Sequence, residues 1–184
     1  MAIMPAALAV TYYDRQTAVN YARDYCYNRN PAFRDFGPDD CTNFISQCLL
    51  TGGWTEIGKY QDQNLFAWYY DLGYKPFYSN TWAVANDLGQ FIINSGRGYK
   101  YSLYQGNIDG YVENDQLQIG DVVQIDFNKD GRNDHSTIVT SVNKATGSVG
   151  LTYHFEYTGK DNIEIRDLMQ QYPNANFYGY HLYT

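Results

Sequence analysis

The chain has 184 residues, 44% of them hydrophobic, enough for one domain with a sizeable core. A net charge of −7 argues against a nucleic-acid backbone or an anionic membrane surface as partner, and no stretch approaches the roughly 18 apolar residues of a spanning helix. Three cysteines leave at least one free thiol and exclude a disulfide-built scaffold at this length. Twenty tyrosines suit either a sugar- or peptide-contacting surface or a secreted protein with few lysines. The apolar start MAIMPAALAV lacks a basic head and a full-length apolar core. Residues 1–11 are therefore read as a disordered or processed segment and 12–184 as one domain.

Asp14 is placed to cap a helix over 15–27, where Ala18, Val19, Ala22, Tyr25 and Cys26 form one apolar stripe. A loop rich in Asn, Pro and Gly follows. In DDCTNFISQCLLTGG, Asp39 or Asp40 caps a second helix, Phe44, Ile45, Cys48 and Leu49 repeat at helical spacing, and Gly52-Gly53 stops it. Cys41 falls in its first turn, where unpaired N–H groups and the helix dipole favour a thiolate and can hold an oxyanion. Cys26 and Cys48, further along their helices, read as core. Residues 54–78 read as irregular aromatic loops covering the sheet, and 81–95 as one helix with Val84, Leu88, Phe91 and Ile92 inward. A short strand and turns over 99–112, a turn over 118–121 and a strand over 122–125 come next. A strand beginning at His135, a hairpin near 144–148, a strand over 149–157, a short helix at 168–171 and a strand over 177–183 complete the chain.

The stretch DFNKDGRNDHSTIV joins two kinds of chemistry. Asp126, Asn128, Asp130 and Asp134 space oxygen donors around a turn at Gly131, so Asp126, Asn128, Asp130, Arg132 and Asp134 are expected to hold a structural Ca2+. The closing glutamate of an EF-hand is absent, since position 12 is Thr137, and the loop runs strand to strand. His135 then enters the next strand as a candidate general base. If Val142 pairs with Val149 across the hairpin, His135 faces Glu156 with His154 diagonal to it. Either residue could orient the imidazole; His154 is preferred and Glu156 remains the alternative.

DCTNFISQCL, GDVVQIDFNKDGRNDHSTIVT, LTYHFEYTGKDN and FYGYHL, in that order, resemble the Amidase_6 family of amidase domains, which is similar to the NlpC/P60 and CHAP enzymes of the papain-like superfamily. The resemblance runs from about Tyr12 to the C-terminus. It implies an α+β, papain-like fold, with N-terminal helices carrying the cysteine packed on an antiparallel sheet carrying the histidines. It implies Cys41 as nucleophile, His135 as base and then acid, and His154 as the orienting third member, with Asp40 and Asn43 shaping the oxyanion site or helix start. The implied activity is cleavage of a peptidoglycan amide bond by an extracellular, endolysin- or autolysin-like hydrolase. No organic cofactor, no nucleic-acid or membrane partner and a monomeric state are expected. Two other readings use the same residues: a transferase passing the acyl group to an amine, and a calcium-stabilised wall- or glycan-binding module in which Cys41 is merely buried.

Overall fold

Six antiparallel strands form the frame, in the order β3-β8-β4-β5-β6-β7. The computed structural model describes residues 12–73, 77–104, 106 and 117–184; the expected processed segment 1–11 and the turns expected at 107–112 lie outside these. β3 (Gly98–Leu103) and β7 (Thr158–Glu164) are the edges, and β8 (Asn176–Leu182), β4 (Val122–Asp126), β5 (His135–Asn143) and β6 (Ser148–Phe155) lie between them. β4 is buried at every position, which is why VVQID shows no alternation. β7 (TGKDNIE) was not expected from the sequence. It alternates exposed with partly exposed residues, as an edge strand does, and carries too little apolar signal to stand out. It follows a tight turn in which Glu156 takes a positive φ of 53°, so β6 ends at Phe155 rather than continuing to 157.

Helices cover both faces. α1 (Arg15–Tyr25) is capped by Asp14, whose Oδ1 accepts the Thr17 N–H at 2.9 Å, and α2 (Cys41–Thr51) closes at Gly52. Both pack with Val122, Ile138, Tyr180 and Leu182 on one face of the sheet. α5 (Ile165–Gln171) packs on the other, against Val123, Ile125, Leu151 and Tyr153. The aromatic stretch after α2 is more than a covering. Trp54 and Trp68, with Trp82 just beyond, are buried in the first core, and among the described residues of 54–78 only the two-residue strands β1 (Tyr70–Asp71) and β2 (Phe77–Tyr78) are regular.

The helix expected over 81–95 divides into α3 (Asn80–Ala83) and α4 (Ala85–Asn94), with Val84 extended at φ −113°, ψ 124°. The break frees Trp82 O, at the end of α3, to accept from Ser46 Oγ at 2.8 Å, while Ala85 O in the first turn of α4 also accepts from Gln124 Nε2 at 2.6 Å. Local periodicity does not reveal such partners.

One bulge governs the site. Val142 pairs with Val149 as expected, but the register slips between Ser141 and Val139, and Ile138 then pairs with Thr152. The slip leaves Thr140 as the extra residue, its carbonyl taken by Arg23 of α1 at 2.8 Å. Continued, the shifted register sets His135 level with Phe155, not Glu156. A one-residue slip exchanges the faces of every side chain beyond it.

Candidate active site

Cys41 opens α2, half-buried at the mouth of a cleft of about 570 Å³ that His135 also lines. The helix start is set by Asp40, which is 2% exposed. Its carboxylate does not cap the helix N–H groups, as a sequence reading assumes. Instead Oδ1 accepts from the Phe36 N–H (3.1 Å) and from Asn43 Nδ2 (2.9 Å), and Oδ2 lies 2.6 Å from His154 Nδ1. Asn43 also donates to Arg34 O and accepts from Trp82 Nε1 at 2.7 Å. Asp40 and Asn43 thus lock the residue before the thiol to the loop, to α3 and to the sheet.

His154 sits on the face opposite His135, as the bulge dictates. Its ring stacks on Phe44 with centroids 3.9 Å apart, and its Nε2 lies 3.0 Å from Tyr25 O. Its two ring nitrogens thus each face an oxygen, Asp40 Oδ2 on one side and Tyr25 O on the other. The expectation that His154 or Glu156 lies beside His135 on one face is corrected for His154. That residue reaches the nucleophile's helix through Asp40 and makes no hydrogen bond to His135 among the described residues. Glu156, in the turn after β6, borders the cleft without bonding the ring.

The His135 ring meets Tyr153 and Phe155 edge-on, at 5.1 and 5.6 Å, and its buried Nε2 has no hydrogen-bond partner. Burial pushes this imidazole down to about 4, so at neutral pH it carries no charge and keeps a free acceptor nitrogen. Burial likewise pushes the Cys41 thiol up, with Asp40 adding to it. The Thr42 hydroxyl, 3.5 Å from the sulfur, and the nearby backbone of Ser136 and Thr42 oppose the rise without reversing it. The helix N-terminus therefore does not deliver a thiolate in the resting protein; desolvation wins. No hydrogen bond joins Sγ to His135, although both residues line the same cleft. The site holds a neutral thiol and a neutral base facing one cleft, an arrangement for proton transfer during attack rather than before it.

A buried polar chain runs beneath. Gln124 Nε2 donates to Ala85 O and to Ser136 Oγ (3.0 Å), Ser136 Oγ lies 3.0 Å from Thr42 Oγ1, and Thr42 Oγ1 lies 3.5 Å from Cys41 Sγ. Gln124 also accepts from Asn133 Nδ2 at 2.6 Å, and Asn133 donates to Tyr180 OH at 2.9 Å. Sequence reasoning passed over Gln124, Asn133, Ser136 and Thr42. The available signal was Gln124 itself, an amide inside an otherwise apolar strand, which has to find buried partners.

The loop after β4 is folded by its own hydrogen bonds. Asp126, fully buried, accepts from the N–H groups of Asp130 (3.2 Å) and Gly131 (3.1 Å). Asn128 accepts from Asp130 N–H, Asp130 from Arg132 N–H and Asp134 from Phe127 N–H. Gly131 takes the turn at φ 87°. No group of three or more His, Cys, Asp or Glu converges as metal ligands among the described residues. The oxygens of Asp126, Asn128, Asp130 and Asp134 accept backbone N–H groups of the loop that leads into β5; a cation there is a proposal.

The family model described as "Putative amidase domain" matches residues 12–180. Two proteins of Bacillus subtilis (strain 168) are similar to the chain: uncharacterized protein YhbB, 36% identical over 132 residues, and uncharacterized protein YjcM, 28% identical over 155 residues. These alignments cover 72% and 80% of this chain but 38% and 32% of those proteins, so the chain spans well under half the length of the curated relatives it matches. No solved structure matches.

Proposed function

Because the chain belongs to the Amidase_6 family of amidase domains, we propose that it is a cysteine-dependent amidase of papain-like type that cleaves an amide bond of bacterial peptidoglycan. The observation that carries the proposal is the pairing of Cys41, at a helix N-terminus, with His135, at a strand start, in the walls of one cleft. Cys41 Sγ attacks the amide carbonyl as the unprotonated ring nitrogen of His135 takes its proton, forming the carbon–sulfur bond and a tetrahedral oxyanion. The backbone N–H of Cys41, not engaged by the Asp40 side chain, stabilises that oxyanion. His135 returns the proton to the leaving nitrogen as the carbon–nitrogen bond breaks. Water, deprotonated by the same imidazole, then releases the acid and the thiol.

In this reading Asp40, Asn43 and His154 are positioning residues. They hold the first turn of α2 so that Sγ stays beside β5. Ring and sulfur are not hydrogen-bonded in the resting protein; substrate closes that gap, as catalytic hydrogen bonds often tighten only in the complex.

The test is release of new amino groups and reducing ends from purified peptidoglycan, by wild type and Cys41→Ser. Amino groups that appear with wild type and vanish in the variant support the amidase. No release by either protein, with both still sedimenting with the wall, replaces it with a binding module.

A further inference from the structure

The orientation of Asn133 is forced, and it leaves one atom without a partner. Ala85 O can only accept, so the nitrogen of Gln124 faces it, and Gln124 Oε1 must then face Asn133. Asn133 answers with Nδ2, which also donates to Tyr180 OH. Its Oδ1 is therefore fixed at the other end of the amide, buried, with no hydrogen-bond donor in the protein. A flip would set two acceptors, Asn133 Oδ1 and Gln124 Oε1, against each other.

The inward end of Asn133 is held by Gln124 and Tyr180, neither of which lines the cleft, whereas Asn133 lines it together with Cys41, Thr42 and His135. Asn133 is 6% exposed and lies two residues before the base. Gly89 shows how firmly this arrangement is kept, because a Cβ there would collide with Tyr180 OH and lie 2.5 Å from Gln124 Oε1. Helix α4 gives up a side chain so that the amide pair fits beneath it.

We propose that Asn133 Oδ1, covered in the resting protein, is uncovered as substrate enters the cleft and takes the N–H of a secondary amide flanking the scissile bond, which makes the site selective for a peptide on that side. This rests on the amidase reading for the place of the scissile bond. A buried acceptor without a donor discriminates strongly, since a ligand lacking the N–H leaves it unsatisfied while a peptide completes it. Asn133 acts on binding, and its role is separate from the proton transfers of His135.

The probe is an N-acetylmuramoyl pentapeptide and analogues in which each linkage in turn is an ester, which deletes the N–H with little change of shape. Turnover is measured with wild type, and affinity with Cys41→Ser. The expected result is that, among the linkages not cleaved, one ester lowers kcat/KM and affinity about tenfold, the size of one hydrogen bond. Introduced into Cys41→Ser, Asn133→Ala weakens the parent peptide to the same extent and no longer distinguishes it from that ester. Equal handling of all analogues, an ester penalty unchanged by Asn133→Ala, or no binding of the parent would each overturn the proposal. The wild-type comparison holds even where Asn133→Ala folds poorly. Parent binding with the ester penalty but no Cys41-dependent cleavage would sink the amidase reading and leave this one standing.

Discussion

Replacing His135 with phenylalanine separates the charge of this residue from its packing. The ring sits against Tyr153 and Phe155, so another ring keeps the contacts while removing the titrating group and its unpartnered Nε2. Folded His135 takes a proton only near pH 4, whereas the unfolded chain takes one near 6.5. Between those values the unfolded state binds more protons, so stability falls as the pH falls. Above 6.5 both states are neutral and nothing is lost; below 4 both are charged and the loss is complete. The gap between 6.5 and about 4, at 1.36 kcal/mol per pH unit, comes to about 3 kcal/mol. Wild type should lose this much more than His135→Phe between pH 7 and 4. Urea unfolding at each pH measures the difference, followed by fluorescence of the three buried tryptophans, Trp54, Trp68 and Trp82. Carboxylates titrate in both proteins and cancel in the comparison. Two profiles that run parallel within about 0.5 kcal/mol would show that His135 is not shielded from water, and the argument for a neutral, poised base would fall with it. The same variant should release no amino groups from peptidoglycan.

Other perturbations probe the supports of the site. Asp40→Ala leaves the buried His154 ring nitrogen and the Phe36 N–H without their acceptor and takes one of two acceptors from Asn43 Nδ2, so it should cost about 1–3 kcal/mol; a loss under about 0.5 kcal/mol on denaturant unfolding would remove Asp40 from the positioning role. Gly89→Ala should destabilise even though alanine favours helix by about 1 kcal/mol. The added Cβ meets Tyr180 OH and Gln124 Oε1, and overpacking of this kind costs about 1–3 kcal/mol. A raised Tm would mean the amide network yields easily. For the Asp126–Asp134 loop, an added cation has to compete with the N–H groups that its oxygens now accept. Millimolar calcium should raise Tm over that in chelator if one binds, and identical Tm values would retire the structural cation.

Several features were legible in the sequence because they are local. Asp14 and Gly52 bound helices through their own backbone bonds, and the spacing of Phe44, Ile45, Cys48 and Leu49 decides which side of α2 is buried. Turn chemistry at Gly131 and the pairing of Val142 with Val149 likewise depend on near neighbours. The tandem of Cys41 at a helix start and His135 at a strand start was readable for the same reason. What the fold alone decided depends on contacts distant in sequence. Arg23 and the bulge at Thr140 shift β5 by one residue, which sends His154 to Asp40 and Phe44 and leaves His135 among aromatic rings. Helix 81–95 breaks at Val84, and a sheet glutamine reaches the Ala85 carbonyl just beyond it. The protonation state of the thiol also escapes the sequence. The helix N-terminus is a local feature that favours the anion, but burial is a property of the whole packed chain, and here burial is the larger effect.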